Sequence, residues 1–479
     1  DAATGLAPTH LDLADIGSSE GYTDWHGLGF PSFAASSIRS GMLDGPHEVL
    51  VSRFVHTWDF TMRSAAQLRF EAFSAAARGA TVSVDDQPYA DGGLEPEVYR
   101  RLRTVFDRIR EREPWVVGGE PVRYAAFFNS QAGRELESAL GTRENPSVGD
   151  GSAQYPPSEP RSGVSDFHAA VSGTYRALVE SHLPVGFFDE RPASLATLGQ
   201  YKVLVLADAL CLSEEAVAAI AAFVRSGGGL VVTGPPGELD QSAQCRTSRA
   251  LADLVGVTFE ATGGRDYQYL CLSEPLAEAV GGWPLPHYGR IPALQDVPAD
   301  AEVLACRVDA VLQTDETHYW HNNQPAPLPR PGTPAIVARR WGAGRVVVSA
   351  GRLGNNHARL GHGGYRDLLG ELVRYAAGVD PEVEIIGSHH DTELVLTRLP
   401  TGLAVHLVTG RALPRLDIFG AQQTMTVEDV AATPSLKLRV PPATMSAVRI
   451  VDGREVALEL VEGVVEVRDA DDWETIVLR

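Results

Sequence analysis

Between Tyr201 and Gly237 the chain reads YKVLVLADALCLSEEAVAAIAAFVRSGGGLVVTGPPG. Lys202–Leu206 is a nearly continuous apolar run, the pattern of a strand covered on both faces in a parallel sheet. Ser213 then offers an N-cap oxygen, and Glu214 and Glu215 put negative charge on the first helical turn, where the dipole favours it. Val217, Ile220, Ala221 and Val224 recur on one face. Gly227–Gly229 ends the helix, and Leu230–Thr233 starts a second strand. Strand, helix and strand make one right-handed crossover. The same rhythm surrounds it: a strand at Val122–Phe128, a helix at Phe167–His182, a strand at Leu183–Phe188 and a closing helix at Tyr365–Ala377. Ile336–Arg339 and Arg345–Ser349 bracket Gly342-Ala343-Gly344, a hairpin signal. Residues 122–379 are therefore expected to form a doubly wound α/β domain.

The flanks differ. Residues 1–121 carry strand patterns at Thr9–Ala14, His47–Phe54 and Ala80–Val84. Helical patterns lie at Arg63–Arg78 and Pro96–Glu113. This is the βα repeat of a (β/α)8 barrel, of which a full copy needs about 250 residues. A partial barrel, the C-terminal part of one, is predicted here. In residues 380–479 the period shortens to two: Leu403, Val405 and Leu407, then Val456, Leu458 and Leu460, alternate with other residues. Short alternating runs broken by Gly, Pro and Asp predict an antiparallel β-sandwich. The expected fold class is thus α/β plus all-β, in three parts.

Composition narrows the function. With 44% hydrophobic and 22% charged residues the chain is ordinary for a globular protein. Its formal charge of −21 argues against binding nucleic-acid backbones or anionic membranes. No run approaches 18 apolar residues, so no membrane span is expected. The four cysteines, Cys211, Cys245, Cys271 and Cys306, lie far apart and signal neither a zinc site nor a disulfide framework. They read as reduced thiols of a cytoplasmic protein. His318-Tyr319-Trp320-His321 lacks the helix that would set both imidazoles on one face. Gly227-Gly228-Gly229 lacks any phosphate-loop context. No cofactor or metal is expected.

Candidate chemistry clusters at the predicted strand ends of the first part. Glu20, Tyr22, Asp24, Trp25 and His26 follow the first strand. His56, Thr57, Trp58 and Asp59 follow the second, and Asp85, Asp86 and Gln87 the third. Barrel active sites lie on this rim. Carboxylates beside aromatic rings suit sugars: acids transfer protons or attack the anomeric carbon, and rings stack on apolar sugar faces. Glu20, Asp85 and Asp86 are the catalytic candidates. Trp25, His56, Trp58, Asp59 and Gln87 are the substrate-binding candidates. The competing reading of each acid is a solvated loop residue or a helix cap.

The segments GTYRALVESHLPVGFFDE (173–190), the 201–234 unit, WHNNQPAPLPRPGTPAIVARRWGAGRVVVSAGRLG (320–354), YRDLLGELVRYAAG (365–378), AVHLVTG (404–410) and GATVSVDDQPYADGGLEPEVY (79–99) resemble a family of bacterial glycosidases. These are β-galactosidase-type enzymes that carry a trimerisation domain after a catalytic barrel, and the resemblance is closer still to their α-L-fucosidase-like relatives. It implies retaining hydrolysis by two barrel carboxylates without metal or cofactor, on a terminal α-L-fucoside or β-galactoside-like sugar. It also implies homo-oligomers, dimers or trimers, built through the middle domain. The chain departs from the pattern. The galactosidase-type nucleophile is a glutamate ending the seventh strand, where this chain has Arg53–Phe54. The fucosidase-like nucleophile is an aspartate on a fourth strand, which would precede Asp1. The nucleophile is therefore expected to be absent, and the alternative is a non-catalytic carbohydrate-binding or oligomerisation fragment of such an enzyme. The middle domain further resembles the amidotransferase fold, a flavodoxin-like layering. Amidotransfer needs a cysteine on a strand-to-helix elbow, activated by histidine. Cys211 lies beyond Asp208-Ala209-Leu210, and no His-x-Glu pair occurs, so the domain reads as a subunit contact.

Overall fold

A computed structural model describes residues 11–23, 27–55, 60–139, 167–246, 251–260, 267–312, 325–329, 332–411, 413–416, 423–427 and 433–479. The first part contains strands β1 (Gly17–Glu20), β2 (His47–Ser52) and β3 (Thr81–Asp85) in one three-stranded parallel sheet. Helices α1 (Phe30–Gly41), α2 (Ala65–Ala76) and α3 (Pro96–Arg112) follow them in turn. The expected strand at Thr9–Ala14 is corrected. Leu11–Ala14 is turn, and β1 begins at Gly17. Its polar sequence GSSE carries no apolar alternation. It is a strand because Gly17–Glu20 pairs in register with His47–Leu50. A side chain at Gly17 would collide with Ile38 and Met42 of the α1 region, so glycine permits that helix to lie close.

The middle part is a mixed sheet of nine strands. Its parallel half comprises β5 (Ala125–Phe128), β6 (Val185–Phe188), β7 (Val203–Ala207) and β8 (Gly229–Thr233), after a short β4 (Glu120–Pro121) that belongs elsewhere. Between them run α4 (Gln131–Ala139), α5 (Phe167–Glu180) and α6 (Glu214–Arg225). Every residue of β5, β7 and β8 is buried, as their apolar runs require. The Ser213 hydroxyl accepts from the Ala216 N–H at 3.0 Å, the expected cap. Gly227 takes φ +118 and ends α6. The antiparallel half adds β9 (Tyr267–Leu272), β10 (Leu285–Tyr288), β11 (Glu302–Asp309), β12 (Thr333–Trp341) and β13 (Gly344–Ser349). The order across the sheet is β10-β9-β11-β12-β13-β8-β7-β5-β6. β12 and β13 form the expected hairpin about Gly342–Gly344. Helices α7 (Leu353–Leu360) and α8 (Gly363–Ala377) close the part.

Among the described residues the last part has two larger antiparallel sheets and a two-stranded one that pairs Leu413–Leu416 with Gln423–Thr426. One of the larger sheets contains β14 (Glu384–Ile386), β17 (Thr433–Arg439), β20 (Leu460–Val461) and β21 (Val464–Ala470). The other contains β15 (Thr392–Leu399), β16 (Gly402–Thr409), β18 (Ala447–Val451), β19 (Arg454–Leu458) and β22 (Trp473–Leu478), with β4 on its edge. Leu396, Val405 and Ile476 of the second sheet share one core with Leu436, Leu438 and Val465 of the first.

The parts interlock through charge as well as through apolar contact. Arg78, just past α2, pairs with Glu393 of β15 at 2.7 Å, both nearly buried, and Ser74 donates to the same carboxylate at 2.6 Å. Arg112 donates to the Trp473 carbonyl at 2.8 Å and lies over its indole. Phe33 of α1 packs edge-on against Tyr175 and Phe187 of the middle part. Among the described residues no helix is long and apolar enough to cross a membrane.

Candidate functional site

The carboxyl ends of β1, β2 and β3 lie side by side, because three parallel neighbours in register end together. Glu20 ends β1 and is exposed. Two residues on, half-buried Tyr22 donates its hydroxyl to Asp85 Oδ2 at the end of β3. Burial, that hydrogen bond and the negative charges of Asp85 and Glu20 together push the phenol far above its ordinary range. Tyr22 therefore stays protonated and donates to Asp85, with the charge of Glu20 near enough to act on it.

Asp86 has a different environment. Burial alone would raise its carboxyl. The Arg53 guanidinium at 2.6 Å, the Gln87 N–H and Tyr99 outweigh burial and hold it below the usual carboxylate range. Arg53 is 2% exposed, donates to the Thr61 carbonyl at 2.9 Å and lies 4.5 Å over the Phe54 ring. Phe60 stacks on Tyr89 at 5.4 Å beside this pair. Gln87 is exposed next to it. Trp25, His56, Trp58 and Asp59 lie outside the described residues, as do Asp24, His26 and Thr57.

Beneath the rim lies a buried network whose residues the sequence reading did not single out. Arg63 is 1% exposed and Glu71 of α2 fully buried, and they pair at 2.5 Å. Arg63 also donates to the Phe54 carbonyl at 2.6 Å, while its guanidinium sits 5.6 Å from the Tyr22 ring. Glu71 accepts from the Thr23 hydroxyl at 2.5 Å, the Thr23 N–H at 3.2 Å and the Gln67 amide at 3.2 Å. One carboxylate thus fixes the loop after β1, and its arginine fixes the loop after β2. The only signal in the sequence was a glutamate on the inward, apolar stripe of a helix, beside Phe70 and Phe73.

The parallel half of the nine-stranded sheet has a carboxyl edge too. There Asp208 follows β7 in a left-handed conformation, φ 48, and lies 3.3 Å from Arg352. Cys211 is fully buried, and burial, with Glu190 and Asp240 nearby, pushes its thiol up to about 11. A thiol so placed is a poor nucleophile. Glu190 accepts from the Gln131 N–H at the start of α4, and burial pushes its carboxyl up to about 7.

A rim of parallel strands, a doubly wound sheet and paired antiparallel sheets follow one another along the chain. Residues 155–265 match the family model of the β-galactosidase trimerisation domain, so the resemblance seen in the middle of the sequence holds there. No curated protein sequence matches the chain. Among solved structures, α-L-fucosidase isoenzyme 2 from Paenibacillus thiaminolyticus superposes with a TM-score of 0.77 at 16% identity, over 100% of this chain and 67% of that one. A catalytic mutant of a GH42 β-galactosidase from G. stearothermophilus and a β-galactosidase from Bacillus circulans sp. alkalophilus each give 0.66 at 14% identity, over 98% of this chain and 61% of theirs. The chain thus spans about two thirds or less of these proteins, and at such identities the likeness is one of fold.

Proposed function

We propose that the chain serves a glycoside hydrolase acting on a terminal sugar, α-L-fucoside or β-galactoside-like, with the rim of β1–β3 as its sugar-contacting edge. Residues 1–121 are read as the C-terminal part of a (β/α)8 barrel, 122–379 as the trimerisation domain and 380–479 as a β-sandwich. The observation that carries the reading is the Tyr22 hydroxyl bonded to Asp85 and under the charge of Glu20, at the strand ends where barrel chemistry occurs. Exposed Glu20 and hydrogen-bonded Asp85 are the candidates for proton transfer to or from a glycosidic oxygen. Asp86, committed to Arg53, holds the floor of the rim instead of reacting. Trp25 and Trp58 are proposed as stacking platforms, and His56, Asp59 and Gln87 as contacts to sugar hydroxyls. No cofactor enters this chemistry, and the middle domain is proposed to join copies of the chain as dimers or trimers.

A second reading, a non-catalytic carbohydrate-binding and oligomerisation unit, is favoured by one feature. The position where the galactosidase-type nucleophile is expected holds Arg53, buried and ion-paired.

Turnover of nitrophenyl α-L-fucoside and β-D-galactoside by the purified 479-residue chain separates the two. Hydrolysis that falls by about 100-fold or more in Glu20→Gln or Asp85→Asn supports the first. No hydrolysis, but calorimetric binding of L-fucose or D-galactose that the same variants abolish, supports the second. Hydrolysis untouched by both variants overturns the rim assignment.

A further inference from the structure

Away from the rim, the three parts meet around a half-open cleft of about 60 Å³. Arg39 and Ser40 of α1, Asp44 and Arg78 come from the first part, Arg123 and Tyr201 from the middle, and the strand β15 closes the far side. We propose that this cleft binds a small tetrahedral oxyanion, such as inorganic phosphate or sulfate, and that the bound ion joins the three parts.

Two guanidinium groups, those of Arg39 and Arg123, meet at Asp44 there, and Arg78 adds its backbone carbonyl, in a chain whose overall charge is −21. The acidic excess elsewhere is screened beyond about 8 Å at physiological salt, so the local balance decides what enters. That balance is positive: among the described residues lining the cleft, the guanidiniums of Arg39 and Arg123 face the single carboxylate of Asp44. Asp44 bridges the two, accepting from Arg39 Nε at 2.9 Å and from Arg123. The Arg78 guanidinium is turned away to Glu393, at 2.7 Å. Asp44 thus fills the position of one oxyanion edge between two guanidinium forks, yet its side chain is 39% exposed and can be displaced.

The arginines are held in place for such a ligand. Arg39 is anchored by the Arg78 carbonyl at 2.7 Å. Arg123 donates to the Tyr201 hydroxyl at 3.3 Å, and its guanidinium lies 5.6 Å from that ring. Ser40 accepts from the Phe187 N–H at 3.0 Å and is hydrogen-bonded to Tyr201, which ties α1 to the middle part beside the cleft. With five N–H groups on each guanidinium, these bonds leave three donors on Arg39 and three on Arg123. Planar forks with spare donors suit a tetrahedral oxyanion, which accepts two bonds along each edge. The volume agrees: the cleft exceeds several-fold the roughly 10–15 Å³ needed to admit one water, so a phosphate-sized ion can enter.

The test is thermal unfolding and calorimetry of the full chain with sodium phosphate, at ionic strength held constant with sodium chloride. Phosphate is expected to raise the unfolding midpoint saturably, as a ligand of the folded state must. Arg123→Gln and Arg39→Gln should each weaken phosphate binding by about tenfold or more. Asp44→Asn gives the decisive sign. By removing the internal competitor it should tighten phosphate binding, by about three- to tenfold. A purely structural ion-pair cluster predicts the opposite: Asp44→Asn would lower stability and gain nothing from phosphate. No phosphate-specific shift in the unsubstituted chain, retention of the shift in Arg123→Gln, or no tightening in Asp44→Asn overturns the proposal. A galactose 1-phosphate arm distinguishes sources. Binding equal to that of phosphate identifies the oxyanion alone as the ligand; binding at least tenfold tighter, at a site lost in Arg123→Gln, overturns the free ion in favour of a sugar phosphate.

Discussion

The rim of β1–β3 and the carboxyl edge of β5–β8 are built alike, from parallel strands that end in register beneath following helices. Their carboxyls are managed in opposite ways. On the rim, Asp86 is kept ionised by Arg53, and Glu71 below is matched by Arg63. On the edge of the middle sheet, Glu190 is buried against a backbone N–H and is half protonated near neutral pH, while Cys211 stays a thiol. A parallel sheet supplies the place for a site, but neighbouring cations decide whether the groups there carry charge. The rim keeps its acids ionised beside arginines; on the middle edge burial pushes the acid and the thiol toward their neutral forms.

The largest effect should come from breaking the charge pair on which the rim rests. Glu71→Ala strands Arg63 in a site that excludes water and should cost about 3–5 kcal/mol in denaturant unfolding. The double variant Glu71→Met with Arg63→Met should recover much of that loss, since it leaves no unpaired charge. If Glu71→Ala is neutral, the rim is not held by paired charge and the contrast fails.

On the middle edge the expected signature is pH dependence. Burial raises the folded-state pKa of Glu190 from 4.5 to about 7. Its contribution is therefore fully present below about pH 4.5 and is lost as pH rises through about 7. Between these limits the loss should be about 2–3 kcal/mol, allowing for its partial exposure. Glu190→Gln, permanently neutral, should remove that slope. His182, His287 and His406 act the other way: burial pushes each down to about 4, so they cost stability as pH falls from 6.5. They are common to both proteins, so the difference between the two unfolding curves isolates Glu190. A difference that does not vary with pH would show that the edge carboxyl is ionised like those of the rim.

Asp86→Asn should cost about 2 kcal/mol, because Arg53 loses its ionic partner while remaining buried. Sugar binding or turnover at Glu20 and Asp85 should survive this change if Asp86 only holds the floor. The smallest change belongs to the middle sheet's frame. Ser213→Ala removes the cap of α6 and should cost about 1 kcal/mol, with no effect on any ligand of the rim.

Where local signals are strong, the sequence alone determined the structure. The buried runs of β7 and β8, the Ser213 cap and the hairpin at Gly342–Gly344 follow from apolar periodicity and turn chemistry, which act within a few residues. It also placed Asp85 at a strand end, whereas the strand that Glu20 closes was expected at Thr9–Ala14. Only tertiary structure decided the rest. GSSE is a strand because β2 pairs with it. Phe30–Gly41 is a helix, although its serines give no clear polar face, because Phe33 and Ile38 find partners in other elements. Which acid meets Tyr22, which meets an arginine, and that Glu71 lies buried against Arg63 depend on residues 8 to 63 positions apart. Charge and hydrogen bonding act through space, and a one-dimensional pattern shows the groups without their distances.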